Sequence, residues 1–347
     1  MYGRRQSLLI GAVLSALSLL YGALIRFRSV LFRLHLLASN KLPCPVVSIG
    51  NITLGGTGKT PAVIAVAGFL ARSQKHPVVV SRGYGRKDES KVLIVSDGRS
   101  ILVNARIGGD EPLLIASKLP DVPLVVGSNR YQAAQHALQQ FHADVVILDD
   151  GFQHRRLRRT LDIVLVDATD PFGNGKLFPA GILREPVSAL RRAQAVIVTR
   201  VDKKESMTGL MDEIRRNTQA QIFTSVHQPI DLVDCSAGDM KPLSALRGAK
   251  AFVFSGIARP LSFTSLLTSL GVNIAAESVY PDHHQYMKSD LAHIFRKAAD
   301  ARVNMIITTE KDMVRLKDLR PDGIWALRIE LAVVEREEWE RFLSRML

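Results

Sequence analysis

Val46-Val47-Ser48-Ile49-Gly50-Asn51-Ile52-Thr53-Leu54-Gly55-Gly56-Thr57-Gly58-Lys59-Thr60-Pro61 decides the architecture. Val46–Ile49 reads as a short buried strand. A glycine-rich turn follows, and Gly58-Lys59-Thr60 leads into a helix-like stretch over Pro61–Ser73. Glycines let backbone N–H groups wrap a phosphate chain without interference from a Cβ. A helix N-terminus adds donors and a favourable dipole. Lys59 then reads as the side chain that reaches the β and γ phosphates, and the Thr60 hydroxyl as a ligand for Mg²⁺. Thr53, Leu54, Gly55, Gly56, Thr57, Gly58, Lys59 and Thr60 form the expected nucleotide cradle. The strict phosphate-loop pattern has glycine where this chain has Thr53. An ordinary glycine-rich turn is the bland alternative.

Outward from this stretch, short apolar runs recur: Val78–Val80, Val92–Val95, Leu124–Val126, Val145–Leu148, Ile163–Val166, Ala195–Val198, Ala251–Phe254 and Met305–Ile307. Such runs suit strands buried on both faces of a parallel sheet, with helices such as Arg130–Gln140 in the crossovers. The expected fold class is α/β: a P-loop NTPase-like parallel sheet core, a second and smaller α/β domain, and an N-terminal membrane helix. Residues 200–250 are more polar and less periodic. The division is therefore set at 1–40 for the N-terminal apolar helix with basic flanks, 41–225 for the P-loop core, and 226–347 for the smaller C-terminal α/β domain.

Charge is distributed unevenly over the 347 residues. The net charge is +13, and no acidic residue precedes Asp88. Residues 1–87 carry 12 Lys or Arg, whereas the remainder nearly balances at 34 bases and 33 acids. A basic patch of this kind attracts nucleic acid, anionic lipid or anionic substrates. Inside it, Leu8–Ile25 is a run of 18 uncharged, mainly apolar residues. As a helix it is about 27 Å long, marginal for a span and ample for lying in one leaflet. Arg4 and Arg5 flank one end, and Arg26, Arg28 and Arg33 the other. Their long side chains reach lipid head groups while the stems stay in oil. No small-residue cleavage site follows, which disfavours a signal peptide. The segment carries no nucleic-acid motif, so the expected partner is an anionic membrane surface and not nucleic acid. The only cysteines, Cys44 and Cys235, are too far apart for a metal-type spacing. A reducing compartment fits that pattern.

A phosphate loop also needs carboxylates at a neighbouring strand end. Asp144-Val145-Val146-Ile147-Leu148-Asp149-Asp150-Gly151 offers Asp149 or Asp150 for Mg²⁺, and Ile163–Asp167 is a weaker competitor. Strand C-termini in open α/β sheets face the ligand crevice. Asp110, in Gly108-Gly109-Asp110-Glu111-Pro112, suits a general base that accepts a hydroxyl proton, and equally a helix N-cap. Arg184 and Glu185 could neutralise phosphate and assist the metal, or form a surface ion pair. Asp282-His283-His284 is the densest histidine cluster. It lacks a zinc set; a His–Asp pair that tunes an acid–base group and an ordinary surface loop both fit it.

Taken together and in order, several segments resemble the tetraacyldisaccharide 4′-kinase family, the lipid A 4′-kinases of Gram-negative bacteria. They are Gly50–Thr53 with Gly55–Pro61, Ser81–Arg86, Gly109–Pro112, Asp149–His154, Leu183–Pro186, Asp282–His284 and Thr308–Asp312. Thr53 matches the family pattern. The resemblance spans essentially the whole chain and implies transfer of the γ-phosphate of ATP to the 4′-hydroxyl of a tetraacylated glucosamine disaccharide 1-phosphate. The implied product is lipid IV-A, made at the cytoplasmic face of the inner membrane, with ATP and Mg²⁺ required. On the same resemblance Asp110 looks like the catalytic base, supported by His283. Asp149, Asp150 and Glu185 look like metal-side carboxylates, Arg184 and Arg130 lie near phosphates, and Tyr84 contacts the lipid. A monomer is expected. The rival is a membrane-associated P-loop GTPase or ATPase switch. Thr199-Arg200-Val201-Asp202 resembles a guanine-selecting Thr-Lys-x-Asp, with Arg in place of Lys.

Overall fold

The structure is a computed structural model that describes residues 2–83, 86, 88–89 and 91–347, with side chains from residue 10 onward. The chain begins with helix α1 (Tyr2–Arg33). Strand β1 (Val46–Asn51) is buried at every position and runs through the glycine turn into α2 (Lys59–Arg72). Then come β2 (Pro77–Ser81), β3 (Leu93–Ser96), α3 (Ala105–Gly108), α4 (Asp110–Lys118), β4 (Leu124–Val126) and α5 (Arg130–Gln140). They are followed by β5 (Val145–Asp149), β6 (Leu161–Asp167), β7 (Ala195–Thr199), α6 (Thr208–Asn217), β8 (Gln221–Asp234) and β9 (Met240–Pro242). The last third holds β10 (Lys250–Ser255), α7 (Pro260–Ser269), β11 (Asn273–Val279), α8 (Lys288–Asp300), β12 (Met305–Thr309), α9 (Glu310–Leu316), β13 (Ile324–Val333) and α10 (Arg336–Met346).

One sheet passes through the whole molecule in the order β11-β10-β12-β13-β8-β7-β6-β1-β5-β2-β4-β3, with β9 beside β8. Every apolar run read from the sequence overlaps one of these strands. Pairing is parallel except for β3 with β4, β8 with β9 and β8 with β13. Residue 225, where the division between domains was expected, lies inside β8. The first part of that strand pairs with β7 in parallel, and Ser225–Asp234 pairs with β13 in antiparallel.

Helices cover both faces of the sheet. Val63, Val66 and Leu70 of α2 pack with Leu113 and Ile115 of α4 over Val47, Ile49 and Ile147. Ala133, Ala134 and Ala137 of α5 cover Val46, Val80 and Leu148 on the opposite face. Burying one Leu or Ile side chain contributes about 1.5–3 kcal/mol, so these layers fix where the strand ends lie. β1 is flanked by β5 and β6, and its C-terminal end opens at the switch point of the strand order.

From Ile10 to Arg33, α1 is long and apolar enough to cross a membrane. One face is docked. Ser18 Oγ donates to the Leu177 carbonyl at 2.8 Å, and Tyr21 Oη to the Arg184 carbonyl at 2.9 Å. A Cβ at Gly22 would lie 2.9 Å from Leu177 Cδ1, so the helix approaches this segment closely there. Phe32 is buried, with the Arg28 and Arg155 guanidinium groups 5.5 and 4.7 Å from its ring centre. The other face, with Leu19, Leu20, Leu24 and Phe27, is exposed.

Candidate functional site

Asn51, at the end of β1, organises the glycine loop. Its Nδ2 donates to Thr57 Oγ1 at 3.0 Å and to Thr53 Oγ1 at 3.4 Å, and its Oδ1 accepts from Lys59 Nζ at 3.4 Å. Thr199 Oγ1 donates to the Thr57 carbonyl at 3.1 Å and ties the loop to β7. Gly55 and Gly58 have φ of 97° and 91°, a region that favours glycine. Thr53 does not, so a side chain costs nothing there and its hydroxyl joins the Asn51 network. Gly58 caps α2 and no side chain takes the first N–H donors of the helix. Those donors are the groups a bound anion satisfies. Gly55–Thr60 line a cavity of about 800 Å³, whereas Thr53, which is buried, and Leu54, which is exposed, do not.

Asp149 and Asp150 reach the same cavity with opposite electrostatics. Asp149 is 4% exposed and accepts from Ser81 Oγ at 2.7 Å. Burial, with the neighbouring Glu111 carboxylate, pushes its carboxyl up to about 6. Asp150 has φ of 50°, accepts from Arg184 Nη1 at 2.9 Å and lies 3.7 Å from Lys59 Nζ. Burial raises its carboxyl, but Lys59 and Arg184 outweigh that and hold it below the usual range. A buried carboxylate with a raised pKa, lining the same cavity as Thr60, fits Mg²⁺. Among the described residues no group of three or more His, Cys, Asp or Glu could hold a metal by itself. The set therefore suits an ion that takes its remaining ligands from phosphate and water.

Glu185 stands apart from this group. Arg192 binds both of its oxygens, at 2.6 and 2.9 Å, and stacks on Phe152, while Gln153 Nε2 donates to Oε1 at 3.1 Å. Its carboxylate does not line the cavity. Arg130 is buried behind the wall and donates to the Ser128 carbonyl at 3.0 Å, close enough for its charge to help hold Asp150 down. Asp167 is occupied by the Arg200 and Arg259 guanidinium groups. Tyr84 lies outside the described residues.

α4, packed beside α2, supplies another part of the cavity lining. Asp110 is its first residue, 6% exposed, with Gly109 as the cap. Its Oδ1 accepts the Glu111 N–H at 2.9 Å. Its Oδ2 lies 2.8 Å from His283 Nδ1 and accepts from Arg315 Nε at 2.8 Å and from Arg315 Nη2. Burial pushes the Asp110 carboxyl up, but the His283 hydrogen bond and the Arg315 charge prevail and hold it well below the usual range. Reciprocally, the hydrogen bond to Asp110 raises His283 above its ordinary value against burial. His284 plays a different part: it stacks on Tyr280, and its Nε2 lies 3.1 Å from Asp290 Oδ2.

Sequence reading missed Arg315, Glu111, Lys311, Lys118 and Glu310. Lys311 Nζ donates to Glu111 Oε1 at 2.5 Å, and Lys118 Nζ lies 2.5 Å from Glu310 Oε1. With Asp110 and Arg315 they form three ion pairs between α4 and α9. Glu111, Glu310 and Lys311 lay in the segments Gly109–Pro112 and Thr308–Asp312 that carry the resemblance, with no role assigned, and Lys118 and Arg315 lay outside them.

Three comparisons bear on this geometry. The family model for tetraacyldisaccharide-1-P 4′-kinase matches residues 10–347. A protein of Syntrophus aciditrophicus named tetraacyldisaccharide 4′-kinase is 42% identical, with 96% of this chain and 92% of that protein covered. One of the same name from Pelobacter propionicus is 40% identical, again with 96% and 92% covered. Among solved structures, LpxK from Aquifex aeolicus in complex with ATP is similar at a TM-score of 0.80 and 31% identity, covering 97% of this chain and 99% of that one.

Proposed function

The chain belongs to the tetraacyldisaccharide 4′-kinase family, and from that premise we propose how its residues divide a phosphoryl transfer. The reaction is the ATP-dependent phosphorylation of the 4′-hydroxyl of tetraacyldisaccharide 1-phosphate, which gives lipid IV-A in lipid A biosynthesis. One observation carries the assignment of roles: a helix start without a side-chain cap, with Lys59, and a buried carboxylate–histidine pair line one cavity.

The backbone donors of Gly55–Gly58 and the Lys59 ammonium hold the phosphate chain. Thr60, Asp149 and Asp150 would hold Mg²⁺. When bound, that ion neutralises charge on the phosphate oxygens. Arg184, already beside Asp150, adds a second positive group. The acceptor hydroxyl attacks the γ-phosphorus, the bond from that phosphorus to the bridging oxygen breaks, and ADP leaves. Asp110 takes the hydroxyl proton, and His283 shares the titration of the pair. Arg130 supports the phosphate end from behind. Glu185 acts through Arg192 and Gln153, which it holds in place. Tyr84 is assigned to the lipid on the resemblance alone.

The exposed face of α1 is placed in the cytoplasmic leaflet of the inner membrane, its basic flanks on anionic head groups, with the enzyme a monomer. An acylated acceptor does not leave the bilayer cheaply, so the catalyst has to come to it. Residues 41–225 and 226–347 are proposed as two lobes joined through β8 and β13. A switch GTPase is not favoured. Arg200, standing where guanine selection needs Lys, turns onto Asp167 and the Gly56 carbonyl.

The test is transfer of labelled γ-phosphate from ATP to the purified disaccharide lipid in detergent micelles, with GTP and no-lipid controls. Label on the lipid with a Mg²⁺ requirement is expected. Free phosphate without labelled lipid would refute the assignment. For the anchor, removal of residues 1–28 should shift the protein from the membrane fraction to the supernatant. Retention on membranes would assign attachment to another surface.

A further inference from the structure

We propose that Arg315 is a positioning residue for the transfer: anchored in the C-terminal half, it fixes the orientation of the Asp110 carboxylate across the cavity. The proposal rests on Asp110 as the proton acceptor.

The Arg315 side chain is 0% exposed. Arginine is almost never fully buried unless it is paired. Its donors are divided between two halves of the chain. Nη1 donates to the Gly256 carbonyl at 2.6 Å and to Asp312 Oδ1 at 3.1 Å. Nε and Nη2 both donate to Asp110 Oδ2, the oxygen that also meets His283. Asp312 is itself fixed. It accepts from Tyr286 Oη at 2.9 Å, from Thr309 Oγ1 at 2.6 Å and from the Gly256 N–H at 3.1 Å. The guanidinium plane is thus set before it reaches Asp110.

A role limited to holding α4 against α9 does not require this residue. Glu111–Lys311 and Lys118–Glu310 already join the two helices. Arg315 instead addresses the one carboxylate that the chemistry uses. Without it, among the described residues, Asp110 keeps the Glu111 N–H on Oδ1 and His283 on Oδ2 and loses the two Arg315 donors that further fix Oδ2. The charged and titratable groups facing this centre are Asp110 and Glu111 from α4, Lys311 and Asp312 from α9, and Asp282, His283 and Tyr286 from the segment before α8.

The experiment compares full-length wild type, Arg315→Met, Arg315→Lys and Asp110→Ala in the micellar transfer assay, with thermal melts to confirm folding. For Arg315→Met, kcat should fall on the order of 10–100-fold while KM for ATP changes less than about threefold. Loss of a neighbouring cation raises the pKa of the Asp110–His283 pair, so the acidic limb of kcat/KM should move to higher pH. Arg315→Lys returns a charge but not the fork, and should recover part of the rate and part of the limb. If Arg315→Met does not fold, Arg315→Lys carries the test through the same two readings. Unchanged kcat and an unmoved acidic limb in folded variants would overturn the proposal. So would a loss that follows the folded fraction with no pH displacement. If Asp110→Ala is inactive while Arg315→Met behaves as wild type, only the Arg315 role fails. If Asp110→Ala retains full turnover, the assignment of the base fails first, and the Arg315 role with it.

Discussion

Two helices begin at the cavity, and they begin differently. α2 starts at Lys59 behind Gly58, and its loop is shaped by Asn51 of the same stretch and tethered by Thr199 at the end of β7 and Arg200 just beyond it. α4 starts at Asp110, whose partners lie 173 and 205 residues away in sequence. The first is built within residues 51–200, and we assign it to anion binding. The second is an assembly of distant parts and exists only when the C-terminal half is in place. Binding and chemistry therefore depend on different amounts of folded structure.

Mutation can break that contrast or sharpen it. The largest effect is expected at the local device. Lys59→Ala should lower kcat on the order of 10³-fold or more with the melting temperature kept, because charge neutralisation dominates phosphoryl transfer. A loss below about tenfold in the transfer assay would mean that Lys59 does not face the transferred phosphate. Next comes the assembled end: Asp110→Ala should lower kcat about 10²–10⁴-fold and leave ATP affinity within about threefold. Calorimetry showing equal loss of ATP binding would erase the distinction between the two helix starts.

The smallest effect is a titration. His283 should titrate above the ordinary histidine value in the wild type, and lower in Asp110→Asn, as read by NMR of labelled imidazole. The sign follows from the hydrogen bond to Asp110, which favours the imidazolium, and from burial, which opposes it. His283 therefore contributes stability that is full below its unfolded value and lost as pH rises through the raised value, whereas the depressed Asp110 contributes above its unfolded value and loses this as pH falls. An unmoved titration in Asp110→Asn would separate His283 from Asp110 in solution.

The same contrast explains what was legible. The apolar runs are buried on both faces and announce themselves by composition, as with Val145–Asp149. β8, β11 and β13 were not seen because exposed and buried positions mix along them, as in Asn273–Val279. The division expected at residue 225 followed a fall in periodicity, and that fall marks the long, half-exposed strand β8. In the site, the loop could be read because Gly55 and Gly58 carry their conformational demand in their identity. Asp149 and Asp150 were left as interchangeable, and only burial and the placement of Lys59 and Arg184 separate them. Glu185 was grouped with them because it adjoins Arg184, but Arg192 takes both of its oxygens. Arg315 gave no signal, since its meaning depends on a contact across most of the chain.

Leu177–Arg184 has a further consequence. It receives hydrogen bonds from Ser18 and Tyr21 of α1, and its last residue grips Asp150 beside the phosphate loop. The apolar helix and the phosphate end of the cavity thus share one bracket. The height of the reaction centre above whatever surface carries α1 is fixed by this bracket, like the throat depth of a fixed tool.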